Sequence, residues 1–245
     1  MADRETSEER SKISLIVMKL LHQIGINKKM RKWRRYNWKQ LETLLSFLSS
    51  NESGNCVQLF TFGSQIEGTT TPGLRSDLDL VMFTDIFTIR NIQDAVPGIY
   101  TCLMVRDEDT HPGYYKLQLM NPFTMEAMHA RCFEAGSYPL AIDRNQRIVL
   151  RASFFFYRNA TEINGPAATT RNNFFDTDCI IAVRVNTWSQ EDISWLLRPR
   201  QNNWVKQDEF DYFFARDVFL VPVGNPLSLE RYLEWRISFT AVERE

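Results

Sequence analysis

The feature that most constrains this chain is a pair of apolar runs, Val57 to Phe62 and Leu80 to Phe83, joined by the stretch GSQIEGTTTPGLRSDLD. Short apolar runs bounded by small and polar residues predict strands. Gly63 and Ser64 follow the first strand at once, while Asp77 and Asp79 lead the second. Side chains alternate along a strand, so the two aspartates share a face, with Cα atoms about 6.5–7 Å apart. Carboxylates so placed can share the coordination of paired Mg²⁺ (or Mn²⁺) ions, which favour few carboxylates, several waters and phosphate oxygens. A glycine turn brings backbone N–H groups close to a triphosphate with no Cβ in the way, and Ser64 adds a hydroxyl donor. Phosphoryl or nucleotidyl transfer is the chemistry that fits. An Asp-x-Asp alone is a common chance pattern; its place between a Gly-Ser turn and a strand makes it specific.

Such a site takes a third carboxylate from a neighbouring strand. The segment FFDTD supplies two, directly before the apolar run CIIAVRV. Asp178 is the first choice, at the head of a strand with Ile180, Ala182 and Arg184 on its face. Asp176 has the same parity and stands in reserve. The plainer reading of either is an aspartate at a strand entry.

The remaining elements fit one α+β unit with a mixed sheet. Residues 12–24 have helical spacing at Ile13, Ile16, Val17, Leu20 and Leu21, stopped by Gly25. A second helix is expected over 28–48, with Trp33, Trp38, Leu41, Leu44, Leu45 and Leu48 on one broad face. Its first half carries Lys28, Lys29, Arg31, Lys32, Arg34, Arg35 and Lys39. That run reads either as a solvated basic face or, with Trp33, Tyr36 and Trp38 interleaved, as a phosphate-binding stripe. Strands are expected at 100–105 and 114–120, joined by a hairpin loop in which Asp107, Glu108 and Asp109 are solvated. Further strands are expected within 148–157 and at 178–185, and an apolar segment at 218–223. Short helices are expected at 85–97, 124–134, 188–197 and 208–216, and a longer one opens at Leu227.

Composition sets the outer bounds. Twenty-nine basic against 30 acidic residues give a net charge of −1, so any nucleic-acid surface is a local patch. The four cysteines are scattered with no CxxC pair, which fits reduced thiols in an intracellular, cytoplasmic protein. The charged start MADRETSEERSK is neither signal peptide nor anchor, and no apolar run reaches a membrane span.

The stretch GSQIEGTTTPGLRSDLDLV resembles the nucleotidyltransferase signature of the cyclic GMP–AMP synthase-like receptors and the Mab-twenty-one-like proteins. The likeness extends to NGPA at 164–167, DCIIAV at 178–183, WLLRPR at 195–200 with Trp204, VPVG at 221–224 and LEWRISF at 233–239. The resemblance implies a polymerase-beta-like nucleotidyltransferase fold with a mixed sheet and a long N-terminal spine helix. It implies a flexible segment over 1–11, a catalytic lobe over 12–226 and, from 227 to 245, the start of a helical lobe whose remainder lies beyond Glu245. Gly63 and Ser64 would hold the triphosphate, and Asp77, Asp79 and Asp178 the metals. Active relatives join ATP and GTP into a cyclic dinucleotide when double-stranded RNA or DNA binds a basic face of the spine, which here would be Lys28, Lys29, Arg31, Lys32, Arg34 and Arg35. The zinc-binding insertion of the vertebrate DNA sensor has no counterpart, and many relatives keep the fold as scaffolds, so a non-catalytic binding module is the alternative.

Overall fold

A computed structural model of the chain describes residues 2–53, 57–67, 77–83, 86–89, 91–95, 101–120, 139–152, 161–171, 176–185 and 218–239. Two helices lead it, α1 (Ala2–Gln23) and α2 (Lys28–Ser53). The break between them is written in three residues. Gly25 takes φ +88°, and the amides of Gly25 and Ile26 bond back to the carbonyls of His22 and Leu21, which closes α1 with a left-handed cap. Asn27 then caps α2, its side-chain oxygen accepting the Met30 amide at 3.0 Å. The segment expected to be flexible is therefore largely helical from Ala2. Its Glu and Arg residues are good helix formers, and Lys12, just beyond it, pairs with Glu8 one turn back at 2.9 Å.

After the helices come β1 (Gln58–Phe62), the one-turn helix α3 (Gly63–Glu67), β2 (Leu78–Phe83) and β3 (Phe87–Ile89). The hairpin β4 (Thr101–Val105) and β5 (Tyr114–Leu119) precedes β6 (Leu140–Ile142) and β7 (Ile148–Leu150). Then follow β8 (Glu162–Asn164), β9 (Ala167–Arg171), β10 (Asp176–Val185), β11 (Val218–Val221) and β12 (Glu234–Ser238). These strands form one mixed sheet whose main path runs β1-β2-β10-β11-β12-β5-β4-β3, with β9 and β8 extending from β10 and β7 and β6 from β5. The pairs β2–β10 and β3–β4 are parallel, and the others are antiparallel.

The long strand β10 is the hinge of this curled sheet. Its first part pairs β2 and β9, and its last three residues pair β11. Both of its faces are covered. Val183 and Val185 join Tyr115, Leu117, Leu220 and Trp235 in the larger core, while Ala182 joins Val81, Phe83, Phe219 and Val221 on the other side. Apolar residues at both parities, as in the wholly buried VFLV of β11, are what a strand covered on two faces requires. The buried thiols Cys102 and Cys179 are unpaired, and burial pushes each up to about 12, so neither is a nucleophile at neutral pH.

Two expectations are corrected. The helix foreseen from Leu227 is instead a short 3-10 turn at Arg231–Leu233 and strand β12, because Trp235 and Ile237 alternate into the core between β11 and β5. The helix foreseen over 85–97 holds strand β3 and a single 3-10 turn at Ile92–Asp94. On the apolar face of α2, Trp33, Leu44 and Leu48 are exposed while Trp38 and Leu45 are half-buried, and Ile13, Ile16, Val17, Leu20 and Leu21 are exposed along α1. The helices foreseen at 124–134, 188–197 and 208–216 lie outside the described residues. Among the described residues no helix is long and apolar enough to cross a membrane.

Candidate metal and nucleotide site

The two expected carboxylates of β2 and the one from β10 come together because of strand register. In the parallel pair β2–β10, Asp178 stands directly across from Asp79, so the two side chains leave the same face of neighbouring strands. Asp77 precedes Asp79 by two residues and shares its parity. The same alternation continues as Val81 and Phe83 on β2, and as Ile180 and Ala182 on β10, into the smaller core cluster. Each strand thus carries its charge at its first end and its apolar residues beyond. The carboxylates gather at the rim of the sheet rather than inside it. Asp176 begins β10 opposite Arg171 of β9. Carried back two residues, the offset that pairs 178 with 79 would bring it level with Asp77.

Burial pushes the Asp79 carboxyl above the ordinary aspartate range, and the charges of Asp178 and then Asp77 push it the same way. Asp79 thus feels a like charge from each of the other two aspartates. Among the described residues no group of three or more His, Cys, Asp or Glu side chains is already drawn together as a metal-holding set. Carboxylate oxygens are hard donors of the kind Mg²⁺ or Mn²⁺ takes, few to an ion, with the remaining positions kept for water and phosphate.

Gly63 explains why this cluster can lie against the turn. Phe62 pairs Asp79 in the antiparallel β1–β2 register, which brings the turn after β1 up to the aspartate. At Gly63 φ is +66°, and a Cβ there would lie 2.1 Å from Asp79 Oδ2. Any other residue would collide with the carboxylate as well as strain the backbone. Ser64, half-buried, opens α3 beside it. Gly68 and the TTTPG loop lie outside the described residues.

Helix α2 holds these parts in place. Three polar side chains, Glu42, Ser46 and Ser50, meet the free edge of β1. Glu42 Oε1 accepts the Thr61 amide at 2.7 Å, Ser46 Oγ the Leu59 amide at 2.9 Å, and Ser50 Oγ the Val57 amide at 2.9 Å. Farther back along the helix, Arg31 Nε donates to the Glu67 carbonyl at 3.2 Å and Arg35 Nε to the Ile66 carbonyl at 3.4 Å, anchoring the end of α3. Of the six basic residues expected to meet nucleic acid, these two thus have a structural duty at the turn. Lys28, Lys29 and Lys32 stand exposed, and Arg34 is half-buried.

Two groups were not anticipated. Thr169 of β9 is buried, and its hydroxyl donates to Asp178 Oδ1 at 2.6 Å. The adjacent Thr169 and Thr170 of AATTR are its trace in the sequence. The second group lies elsewhere, beneath the β4–β5 loop. Lys116, 2% exposed, bonds Asp107 at 2.8 Å and Glu230 at 2.5 Å, and Asp143 lies 3.5 Å away. Arg147 joins Asp107 to Asp143 at 2.7 and 2.6 Å, and Arg144 pairs with Asp109 at the surface. Asp107 is therefore a buried ion-pair partner and not a solvated loop residue. Burial alone would raise it, but the hydrogen bonds from Lys116 and Arg147 outweigh that and hold it low.

No protein-family model matches the chain, and no curated protein matches it.

Proposed function

We propose that the chain carries the catalytic lobe of a Mg²⁺- or Mn²⁺-dependent nucleotidyltransferase of the cyclic dinucleotide synthase-like type, acting in the cytoplasm. The observation that supports this reading best is the register that sets Asp178 beside Asp79, with Asp77 two residues away and Gly63 making room for the carboxylate. Asp77, Asp79 and Asp178 would hold the metal, and the backbone of Gly63 and the hydroxyl of Ser64 would face the triphosphate of ATP or GTP. Bound divalent ions would supply Lewis acidity to the α-phosphate and to the attacking hydroxyl. That hydroxyl oxygen forms the new bond to the α-phosphorus as the α–β bridging bond breaks. Pyrophosphate leaves with the electron pair, and the hydroxyl proton passes to a carboxylate of the cluster or to water. The exposed lysines at the start of α2 are the part of the chain suited to double-stranded RNA or DNA.

The test is a melt of the protein with ATP or GTP, with and without Mg²⁺ or Mn²⁺, followed by product analysis with duplex RNA or DNA present. The expected result is metal-dependent stabilisation by the nucleotide that disappears in Asp77→Asn, and a pyrophosphate-releasing activity lost in the same variant. Stabilisation without turnover under every duplex would reduce the reading to a nucleotide-binding scaffold. No stabilisation at millimolar metal and nucleotide would end it.

A further inference from the structure

The hydrogen bond from Thr169 to Asp178 has a bearing on the metal chemistry, and this step rests on the reading above. Asp178 is half-buried on β10, with β2 on one side and β9 on the other. Thr169 is its partner in the antiparallel β9–β10 register, so the two side chains leave the same face. A threonine hydroxyl has one proton to give, and here it goes to Asp178 Oδ1 at 2.6 Å, within the short range of charge-assisted O–H···O⁻ bonds. The bond fixes the rotation of the carboxylate about its last torsion, which is otherwise broad. With Oδ1 occupied on that side, Oδ2 and the remaining lone pair of Oδ1 are left for a ligand.

Thr169 is itself held. Its carbonyl accepts the Thr161 amide at 2.7 Å and the Thr161 hydroxyl at 3.0 Å, and β8 closes over it through the Glu162–Thr169 pair. The carboxylate of Glu162 in β8 is taken up by Arg171 at 2.9 Å, while the Thr169 hydroxyl ends on the oxygen of Asp178. We infer that Thr169 is a positioning residue for the metal: it presents Asp178 in one orientation and so sets the affinity with which the three aspartates hold Mg²⁺ or Mn²⁺. Hydrogen-bonded partners of metal ligands have this effect elsewhere, and losing one costs about 10–100-fold in affinity.

The experiment measures Mn²⁺ binding from the protein-dependent loss of the free-ion paramagnetic resonance signal, each titration with ATP being compared with one at the same ATP and no protein. The proteins compared are wild type, Thr169→Val, Thr169→Ala, Thr169→Ser and Asp178→Asn, each with its melting temperature in chelator. The expected result is at least about tenfold weaker binding in Thr169→Val and Thr169→Ala, with Thr169→Ser within about twofold of wild type. Valine preserves the shape and suits a strand, so the metal-free melts of wild type and Thr169→Val should agree within a few degrees. If Thr169→Val and Thr169→Ala bind Mn²⁺ as wild type does while Asp178→Asn does not, the positioning role is refuted and the nucleotidyltransferase reading stands. If Thr169→Ser weakens binding as much as Thr169→Val, the hydroxyl is not the operative group and the inference fails. If wild type itself binds no Mn²⁺ with ATP, both fall.

Discussion

Asp79 has a like charge across the strand pair in Asp178 and another two residues before it in Asp77, and burial adds to the cost of ionising it. Its carboxyl is accordingly raised in the folded protein and ordinary in the unfolded one. A raised folded value means stability that is present below the unfolded value, near 3.9, and is lost as pH rises through the folded one. At neutral pH and without metal, the ionised Asp79 therefore works against the fold. Asp79→Asn removes that penalty and keeps the shape beside Gly63. In chelator at pH near 7 it should melt higher than wild type by about 2–4 °C, the scale of roughly 1 kcal/mol in a chain of this length. Solvent on the open side of the cluster keeps the effect from being larger. The gap should close as pH falls toward about 4, where wild type protonates too, and added Mg²⁺ should raise wild type only. A variant no more stable than wild type in chelator would show that the three carboxylates do not repel. That these aspartates share a face was legible in the sequence, because strand alternation is a local rule. Thr169 was not, because its role depends on the β9–β10 register, and nothing local sets that register.

At the scale of elements, the contact between α2 and β1 has an unusual composition. An edge strand presents a row of N–H groups, and here they are met by side chains four apart on a helix. Four helical residues advance about 6 Å and two strand residues about 6.6 Å, so Glu42, Ser46 and Ser50 keep step with Thr61, Leu59 and Val57. Periodicity finds an apolar stripe on α2 but does not say which stripe meets the sheet. Glu42, 6% exposed, holds the Thr61 N–H, two residues before the Gly63 turn. Glu42→Leu leaves the Thr61 amide without that acceptor in a buried place, at a cost of about 1–3 kcal/mol. Glu42→Gln keeps an acceptor oxygen and should lose much less. Urea denaturation gives the energies, and hydrogen exchange at Thr61 locates them. Equal loss in both variants, with no faster exchange at Thr61, would mean that the charge matters and the strand contact does not.

Across the whole molecule, the cluster around Lys116 joins parts of the chain that have no strand in common. Asp107 comes from the β4–β5 loop, Asp143 and Arg147 from the β6–β7 turn, and Glu230 from the connection between β11 and β12. The same connection uses buried Glu234, which accepts the Asn225 amide at 2.9 Å, and Gly224 packs so closely on Arg231 that a Cβ would lie 1.9 Å from its carbonyl oxygen. For Asp107 and Asp143, burial alone would raise the carboxyls, but hydrogen bonds from Lys116 and Arg147 to the first, and from Arg147 to the second, hold both below the ordinary range. For Lys116, burial alone would lower the ammonium, and its bonds to Asp107 and Glu230 raise it instead. The depressed carboxylates contribute stability that is present above their unfolded value and lost as pH falls through the folded one; the raised lysine adds stability that persists until strongly alkaline pH. Removing the cation while leaving the anions buried is the costly half of such a pair, about 3–5 kcal/mol. Lys116→Met should therefore lose about that much against wild type in urea denaturation near pH 7. The difference should shrink below about pH 4, as protonation takes the same stability from wild type. The three aspartates and Gly63 lie on β2, β10 and the turn after β1, away from these loops. Lys116→Met should accordingly keep its Mn²⁺ affinity at temperatures where it is folded. A pH-independent loss, or a weakened metal site in folded protein, would mean that the ion cluster is coupled to the carboxylates and is more than a fastening of three loops.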